Sequence, residues 1–336
     1  MSLYLIKLTP WEPYFFGNEK SFKYPGTKIG GSNQYFIKSE LLPAQTSILG
    51  LLRYILLPVK KDFKEYTNED KKINAETVGE FSFKYGNKND FKKIHGISSV
   101  FLMKDGELLI PTPFDHNNEF ETYTPFSNYA SIDSDRIYPT EYNSKIGICN
   151  SFMSLSTKKI YDYCDIFEFD TRIGINRSSK NDGFFKKTYV TLKKGFSICV
   201  YGDFDDSVSL EKSIAYMGQG KSLFTVDFDK VDNDAISNFY SMVASCLNGN
   251  VVYCLSDIFM DSSIYEDTRF AITKTKDYRA YTTDGGKVTK HSSLYKLISA
   301  GSIFIPKINK EDFCKKFNDE TVTVIGYNTV IKKEDW

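Results

Sequence analysis

A glycine-rich segment with one lysine is the part of this sequence best suited to hold an anion. It comprises Gly218, Gln219, Gly220, Lys221 and Ser222. Glycine accepts positive φ angles and lets a ligand approach the main chain, so successive N–H groups can point at one phosphate while a lysine supplies charge. The segment therefore predicts a phosphate-binding turn, and an ordinary structural hairpin is the alternative.

The surroundings of this turn decide which phosphate chemistry fits. Residues 215–222 match a relaxed Walker A spacing, but a P-loop requires a strand before the loop and a helix after it. Apolar residues at Leu210, Ile214 and Met217 predict a short helix before the turn, and residues 223–228 predict a strand after it. This order is the reverse of a P-loop, so a polynucleotide backbone is favoured over a hydrolysed nucleotide.

Positive charge is concentrated in two segments. Residues 171–194 carry seven basic side chains against Asp182 alone, and residues 269–296 carry seven against two acidic ones. Such segments suit an anionic partner, although a solvated face balanced by acidic neighbours is an equal alternative for either one alone. Within the second segment, Lys287, Lys290 and His291 are candidates to hold phosphate.

Composition excludes several classes of protein. With 43 basic and 43 acidic residues, no whole-molecule field attracts nucleic acid, and a hydrophobic content of 41% is typical of a folded globular protein. The 23 tyrosines and 27 phenylalanines are mostly core residues, yet rings beside basic residues could stack on unpaired bases. Six scattered cysteines, no signal peptide and no long apolar run predict a cytoplasmic protein with no membrane association.

Candidate catalytic groups are sparse. The three histidines, His95, His116 and His291, have no metal-ligand spacing, and no nucleophile elbow is present. We interpret the adjacent Asp115 and His116 as an ordinary loop pair. The sequence therefore favours a binding protein without metal or cofactor over an enzyme.

The elements that must position these residues indicate an α+β fold with antiparallel sheets. Short strands dominate, no βαβ repeat is apparent, and the length of 336 residues favours two domains, which we place at 1–160 and 161–336. The clearest helix spans 43–57, capped by Thr46 or Ser47 and stopped by Pro58. We further predict strands at 3–8, 251–260, 270–281, 299–305 and 321–327, hairpins at 100–110 and 167–192, a helix at 236–247, a peripheral segment at 60–96 and a long loop at 111–142.

Five segments, taken together and in order, resemble the RAMP superfamily of CRISPR proteins. They are Leu8-Thr-Pro-Trp-Glu-Pro-Tyr-Phe-Phe-Gly17, Pro43-Ala-Gln-Thr-Ser-Ile-Leu-Gly-Leu-Leu-Arg53, Arg172-Ile-Gly-Ile-Asn-Arg177, Met217-Gly-Gln-Gly-Lys-Ser222 and Ala300-Gly-Ser-Ile-Phe304. Within that superfamily the set is similar to the third subunits of the Cmr-type (type III-B) interference complex. The resemblance spans residues 3–305.

This resemblance implies two tandem ferredoxin-like (RRM-like) domains with long insertions and no catalytic role. Such subunits bind the 5′ repeat-derived tag of the guide RNA and dock beside the large signalling subunit and the first backbone subunit, so that target RNA is reached only indirectly. The residues implied to lie at the RNA are the glycine turn, Arg172, Asn176, Arg177, Thr46 and Ser47. We add as candidates Lys186 and Lys187 of the first basic segment and Arg53 at the end of the second resembling segment.

Three alternatives remain at this stage. The equivalent subunit of a Csm-type complex has the same architecture. A metal-independent repeat-RNA endonuclease of the same superfamily would use His291 with Lys287 or Lys290. A scaffold that touches only protein is the third.

Overall fold

The computed structural model describes residues 1–17, 22–23, 35–62, 65–80, 82–143, 147–148, 150–176, 183–218, 220–259, 262–279, 281–284, 287–291 and 293–333. Within these ranges the chain is a mixed α+β protein whose sheets are mostly antiparallel. The fold class predicted from the sequence is confirmed to this extent.

A nine-stranded sheet forms the centre of the described structure. Its strands are β1 (Ser2–Pro10), β4 (Ile94–Ile97), β5 (Phe101–Lys104), β6 (Glu107–Pro111), β9 (Ser151–Ser154), β10 (Ile160–Asp162), β13 (Phe196–Phe204), β14 (Ser213–Met217) and β15 (Ser222–Val231). The strand order is β10-β9-β6-β5-β13-β1-β15-β14, and β4 pairs with β13. Strand β1 is buried on both faces because Ile6 and Leu8 enter one apolar cluster while Leu3 and Leu5 enter another.

Among the described residues, three smaller sheets and two two-stranded ribbons accompany this central sheet. A four-stranded sheet contains β2 (Phe22–Lys23), β3 (Tyr35–Lys38), β11 (Phe167–Asn176) and β12 (Gly183–Leu192). A second contains β16 (Val252–Cys254), β18 (Thr268–Ile272), β23 (Ile303–Pro306) and β24 (Val330–Lys332), and a three-stranded one β17 (Ile258–Phe259), β19 (Thr275–Tyr278) and β22 (Tyr295–Ile298). The two-stranded pairs are β7 (Tyr129–Ser131) with β8 (Ile137–Pro139) and β20 (Tyr281–Asp284) with β21 (Lys287–His291).

Two long amphipathic helices, both expected from the sequence, cover opposite faces of the central sheet. Helix α1 packs Ile48 and Leu52 against the face that carries Ile6, and α4 packs Phe239 and Val243 against the face that carries Leu5. The helices are α1 (Gln45–Leu56), α2 (Asn68–Val78), α3 (Tyr163–Ile166), α4 (Ala235–Cys246), α5 (Lys310–Lys315) and α6 (Glu320–Thr323), with a 3₁₀ helix at Ser262–Asp267. Among the described residues, none of these is long and apolar enough to cross a membrane.

The predicted N-cap of α1 is wrong, although the helix itself and its end before Pro58 are confirmed. The N-cap is Ala44, which makes no side-chain cap, so Thr46 and Ser47 lie inside the first turn. The Thr46 hydroxyl is instead 3.1 Å from the hydroxyl of Tyr278. Gln45, which precedes both predicted caps, is the first helical residue; it is buried, and its side-chain amide donates to the Ser98 carbonyl.

Several short elements differ from the sequence expectation. Residues 213–217 form strand β14 rather than a helix, because Ala215 and Met217 are buried while Ile214 and Tyr216 are exposed, an alternation of period two. Residues 320–323 form α6, started by the Asp319 side chain, where a strand was expected. The strands predicted at 251–260 and 270–281 are each divided into two, and the one at 299–305 begins at residue 303.

Two segments expected to be peripheral or loop-like contribute to the interior. Phe83 and Phe91 of the 60–96 segment are buried in the main apolar cluster, and α2 carries a capping box between Thr67 and Asp70. The 111–142 segment holds β7 and β8 and buries Asp115 and His116.

The predicted domain boundary at residue 160 coincides with the start of β10. The central sheet contains strands from both sides of this point, since β1 lies between β13 and β15. The division of the chain into two domains at residue 160 stays a prediction.

Candidate nucleic-acid interface

The glycine turn is the loop of a β-hairpin. Met217 of β14 pairs with Ser222 of β15, and this is the strand pair nearest the turn. Within the turn, the Lys221 amide donates to the Gly218 carbonyl at 3.3 Å. Gly218 and Gly220 have φ angles of 78° and 101°, and Lys221 has a φ of 56°. A Cβ on Gly218 would lie 2.6 Å from the Phe15 carbonyl oxygen, so only glycine fits there. Gln219 lies outside the described residues.

The two polar side chains that follow Gly220 have different environments. Lys221 is exposed. Ser222 is buried, and its hydroxyl donates to the Pro13 carbonyl at 3.2 Å. The turn therefore presents an ammonium group and main chain to solvent, while the serine hydroxyl ties the turn to the segment before Phe15. A strand on each side of the turn also rules out P-loop geometry.

Phe15 joins this turn to the basic hairpin formed by β11 and β12. Its ring is fully buried, and the Lys187 ammonium lies 3.9 Å from the ring centroid. The Tyr189 ring is 5.6 Å from Phe15, and the Arg172 guanidinium is 4.6 Å from the Tyr189 centroid. The chain thus brings together around the Phe15 ring cations and rings that are far apart in sequence.

The strand register shows where the other candidate residues of the hairpin lie relative to this cluster. Arg172 pairs across the strands with Lys187, and Lys186 pairs with Ile173, so Lys186 points to the opposite face of the hairpin. Arg172 also forms an ion pair with Asp170 at 2.7 Å, and this hydrogen bond raises the pKa of the guanidinium. Asn176 ends β11 opposite Gly183, and Arg177 lies outside the described residues.

The structure does not bring the other sequence candidates to this place. Arg53 donates to the carbonyls of Val78 and Gly79 at 2.9 and 2.8 Å, and burial lowers its pKa. It therefore joins α1 to the end of α2. Lys287, Lys290 and His291 lie on β21, which pairs with β20 in a separate two-stranded sheet.

A cavity of about 440 Å³ that sequence reasoning missed lies beside the hairpin. Its walls include residues 38–43, 255–257, 274–277 and 299–300, so it gathers parts of two segments that carry the family resemblance. It also has aromatic lining from Phe114, Phe152, Tyr163 and Phe169. Lys274 and Lys276 belong to the second basic segment noted in the sequence. No sequence pattern indicated that they lie close to Lys38 and Phe169 in the fold.

Charge inside the cavity is partly compensated. The Lys276 ammonium is 2.5 Å from an Asp257 carboxylate oxygen. Burial lowers the pKa of Lys276, but Asp257 and Glu40 together raise it, and the net shift is upward. Lys274 donates to the Asn150 side chain at 2.9 Å, and the Lys38 ammonium lies 4.9 Å from the Phe169 centroid. Cations beside rings suit single-stranded nucleic acid, where phosphates and base faces are both available.

The side chains of the adjacent Asp115 and His116 have different hydrogen-bond partners. Asp115 accepts a hydrogen bond from the Tyr123 hydroxyl at 2.9 Å, and His116 Nδ1 accepts one from the Thr124 amide at 3.2 Å. Burial raises the pKa of Asp115 to about 6 and lowers that of His116. Within the described ranges, no group of three or more His, Cys, Asp or Glu residues is placed to hold a metal ion.

The fold is shared with subunits of type III CRISPR effector complexes. A chain in the cryo-EM structure of the type III-B Cmr-beta bound to cognate target RNA superposes with a TM-score of 0.54 at 17% identity, covering 98% of this chain and 96% of that one. The resemblance to a type III CRISPR protein that the sequence segments implied is therefore confirmed at the level of the fold.

More distant matches belong to related assemblies. A chain of Cmr-beta bound to cognate target RNA and AMPPnP gives a TM-score of 0.49 at 16% identity, covering 98% of this chain and 95% of that one. A chain of the Csm3-Csm4 subcomplex of the type III-A interference complex gives 0.38 at 13% identity, covering 92% and 95%. No protein-family model and no curated protein sequence matches this chain.

Proposed function

We propose that this chain is a non-catalytic subunit of a type III-B CRISPR effector that binds the 5′ repeat-derived tag of a guide RNA. The observation that carries the proposal is the arrangement around Phe15, where its carbonyl meets the glycine turn and its ring meets Lys187 of the basic hairpin. In this proposal the chain comprises two tandem ferredoxin-like domains and docks beside the large signalling subunit and the first backbone subunit.

The proposed binding is to the RNA backbone. Lys221 on the turn and Arg172 on the hairpin are exposed, so phosphates can reach them without a change in fold. Phosphate contacts fix the path and register of a nucleic acid but carry no sequence information. Preference for the tag would come from bases that leave this path and enter the neighbouring cavity, whose rings and amide groups can contact base faces and edges.

The proposal is tested with labelled single-stranded RNA that carries a repeat-derived 5′ tag, titrated at several salt concentrations. Lys221→Gln removes the charge and keeps an unbranched, polar side chain that is one carbon shorter. We expect weaker binding and a salt dependence that is shallower by about one unit, because one phosphate contact is lost.

Lys72→Ala on the exposed surface of α2 is the matched control and should bind as the wild type does. Equal binding by wild type and Lys221→Gln would contradict the proposal and favour a scaffold that touches only protein. Cleavage of the RNA by the wild type would favour the endonuclease alternative, to be checked with His291→Ala.

A further inference from the structure

One end of the central sheet has a face that no described helix covers. Helix α4 covers Leu5 and its neighbours, but beyond them three large apolar side chains are open to solvent. Trp11 is 61% exposed, Tyr216 is 62% exposed and Ile214 is 55% exposed. Exposed apolar residues are ordinary when scattered, so their arrangement decides whether they form a site.

The strand register places these side chains on the same face. Tyr216 pairs with Leu223, and Ile214 pairs with Thr225. The Trp11 amide donates to the Leu223 carbonyl at 3.0 Å, which extends the row from β14 across β15 to the end of β1. The indole Nε1–H donates to the Thr225 hydroxyl at 2.6 Å, so the ring is held over this face.

From this geometry we infer that Trp11 and Tyr216 form a platform on which bases of single-stranded RNA stack. The inference deepens the proposed function and rests on it, since the same RNA would contact the glycine turn. A tryptophan held by a hydrogen bond loses little freedom on binding, and every base offers a face to such a ring. Neighbouring strands are about 4.8 Å apart, so the two residues, with β15 between them, stand about 10 Å apart, enough for a separate base on each.

The position of the platform favours RNA over a protein partner. Tyr216 lies two residues before Gly218, so an RNA whose phosphates contact Lys221 has its bases within reach of the ring. Glu12, which follows Trp11, accepts a hydrogen bond from the Leu223 amide. Tyr14 exchanges backbone hydrogen bonds with Val190 of β12, so the basic hairpin lies at the same end of the sheet.

The charges at the far side of the platform are already paired. Lys7 lies 2.6 Å from Asp229, and Lys212 lies 2.9 Å from Asp227. Because each ammonium group is neutralised by a carboxylate, these pairs attract RNA phosphates only weakly. The phosphates would follow the turn, and the bases would lie on the rings.

Tryptophan fluorescence tests this directly, because the chain has only two tryptophans. In a Trp336→Phe background, emission reports Trp11 alone. Titration with the tagged RNA should quench this emission at the same RNA concentrations that give binding by an independent label. This measurement leaves Trp11 and Tyr216 unsubstituted, so its result does not depend on whether a variant of the platform folds.

Tyr216→Ala supplies the second measurement. Loss of one stacked base should weaken RNA binding about 5- to 30-fold at every salt concentration and leave the salt slope unchanged, because no phosphate contact is lost. The matched control is Tyr54→Ala on α1, which is 50% exposed and outside the platform, and should bind as the wild type does.

The outcomes separate this inference from the proposed function. Tagged RNA that binds without changing Trp11 emission would overturn the platform while the proposed function stands, and the face would then belong to a protein partner. A shallower salt slope in Tyr216→Ala would also overturn stacking, since it would indicate a lost phosphate contact. RNA that fails to bind the wild type would contradict both.

Discussion

At the scale of single residues, Asp115 shows how an unremarkable loop acid becomes a buried group. Its carboxyl group has no exposed surface, and one oxygen accepts a hydrogen bond from Tyr123. Among the described residues, the other oxygen and the Tyr129 hydroxyl have no hydrogen-bond partner. Burial of this acid without a cation favours its neutral form and raises its pKa to about 6.

We predict that Asp115→Asn changes the pH dependence of stability. The folded protein holds the proton of Asp115 more tightly than the unfolded chain, whose pKa is about 4. This contribution to stability is therefore complete below pH ~4 and is lost as the pH rises to ~6. Relative to the variant, the wild type should gain up to about 3 kcal/mol in free energy of unfolding between pH 7 and pH 4, measured by urea denaturation.

Asp133→Asn is the control with the opposite sign. The Arg136 side chain and nearby backbone amides lower the pKa of Asp133, so the wild type should lose stability relative to this variant as the pH falls. Parallel curves for wild type and Asp115→Asn across this range would contradict a raised pKa at Asp115.

At the scale of elements, the hairpin of β14 and β15 depends on the main chain of its turn. Gly218 and Gly220 both have positive φ angles, but their surroundings differ. A Cβ on Gly218 would meet the Phe15 carbonyl, whereas a Cβ on Gly220 would have no atom within 4 Å. Substitutions at these two glycines therefore distinguish the cost of an unfavourable backbone conformation from the cost of a steric clash.

We predict that Gly218→Ala destabilises the protein by about 2 to 4 kcal/mol, because conformational strain and a steric clash add together. Gly220→Ala should cost only about 1 kcal/mol, from strain alone. Denaturation midpoints measure both. Equal losses in the two variants would show that the contact between the turn and Phe15 does not constrain residue 218.

At the scale of the whole molecule, β1 ties the two halves of the chain together. It is hydrogen-bonded along its length to β13 on one side and β15 on the other, and both of those strands come from the second half. Removing β1 would divide the central sheet and expose the apolar side chains of its neighbours. The sheet is therefore a shared element rather than the property of either half.

We accordingly predict that residues 1–160 and 161–336, expressed separately, do not unfold cooperatively, whereas co-expression restores a complex that does. Calorimetry of each half and of the pair measures this. A sharp transition in either isolated half would contradict the expectation and support two independent domains divided at residue 160.

The sequence alone determined the elements whose residues are close together along the chain. The helices α1 and α4, the strand β1 and the long hairpin of β11 and β12 were all predicted correctly, because the pattern of apolar residues along such segments records which residues are buried. Predictions for short segments were less reliable, because a few apolar residues do not define a period. The three apolar residues that end at Met217 were compatible with either a helix or a strand. At the candidate site, the turn, Arg172 and Lys187 were accessible to this reasoning.

Only the tertiary structure decided which of these residues share a surface. Phe15 lies more than 150 residues before Lys187 and more than 200 before Gly218, yet it contacts both. The same packing turned Ser222 and Arg53 inward, where each bonds a backbone carbonyl. A linear pattern reports local burial, but it cannot report which distant segment covers a residue. That choice depends on how the strands of the central sheet are ordered and on the side chains that fill the space between its layers.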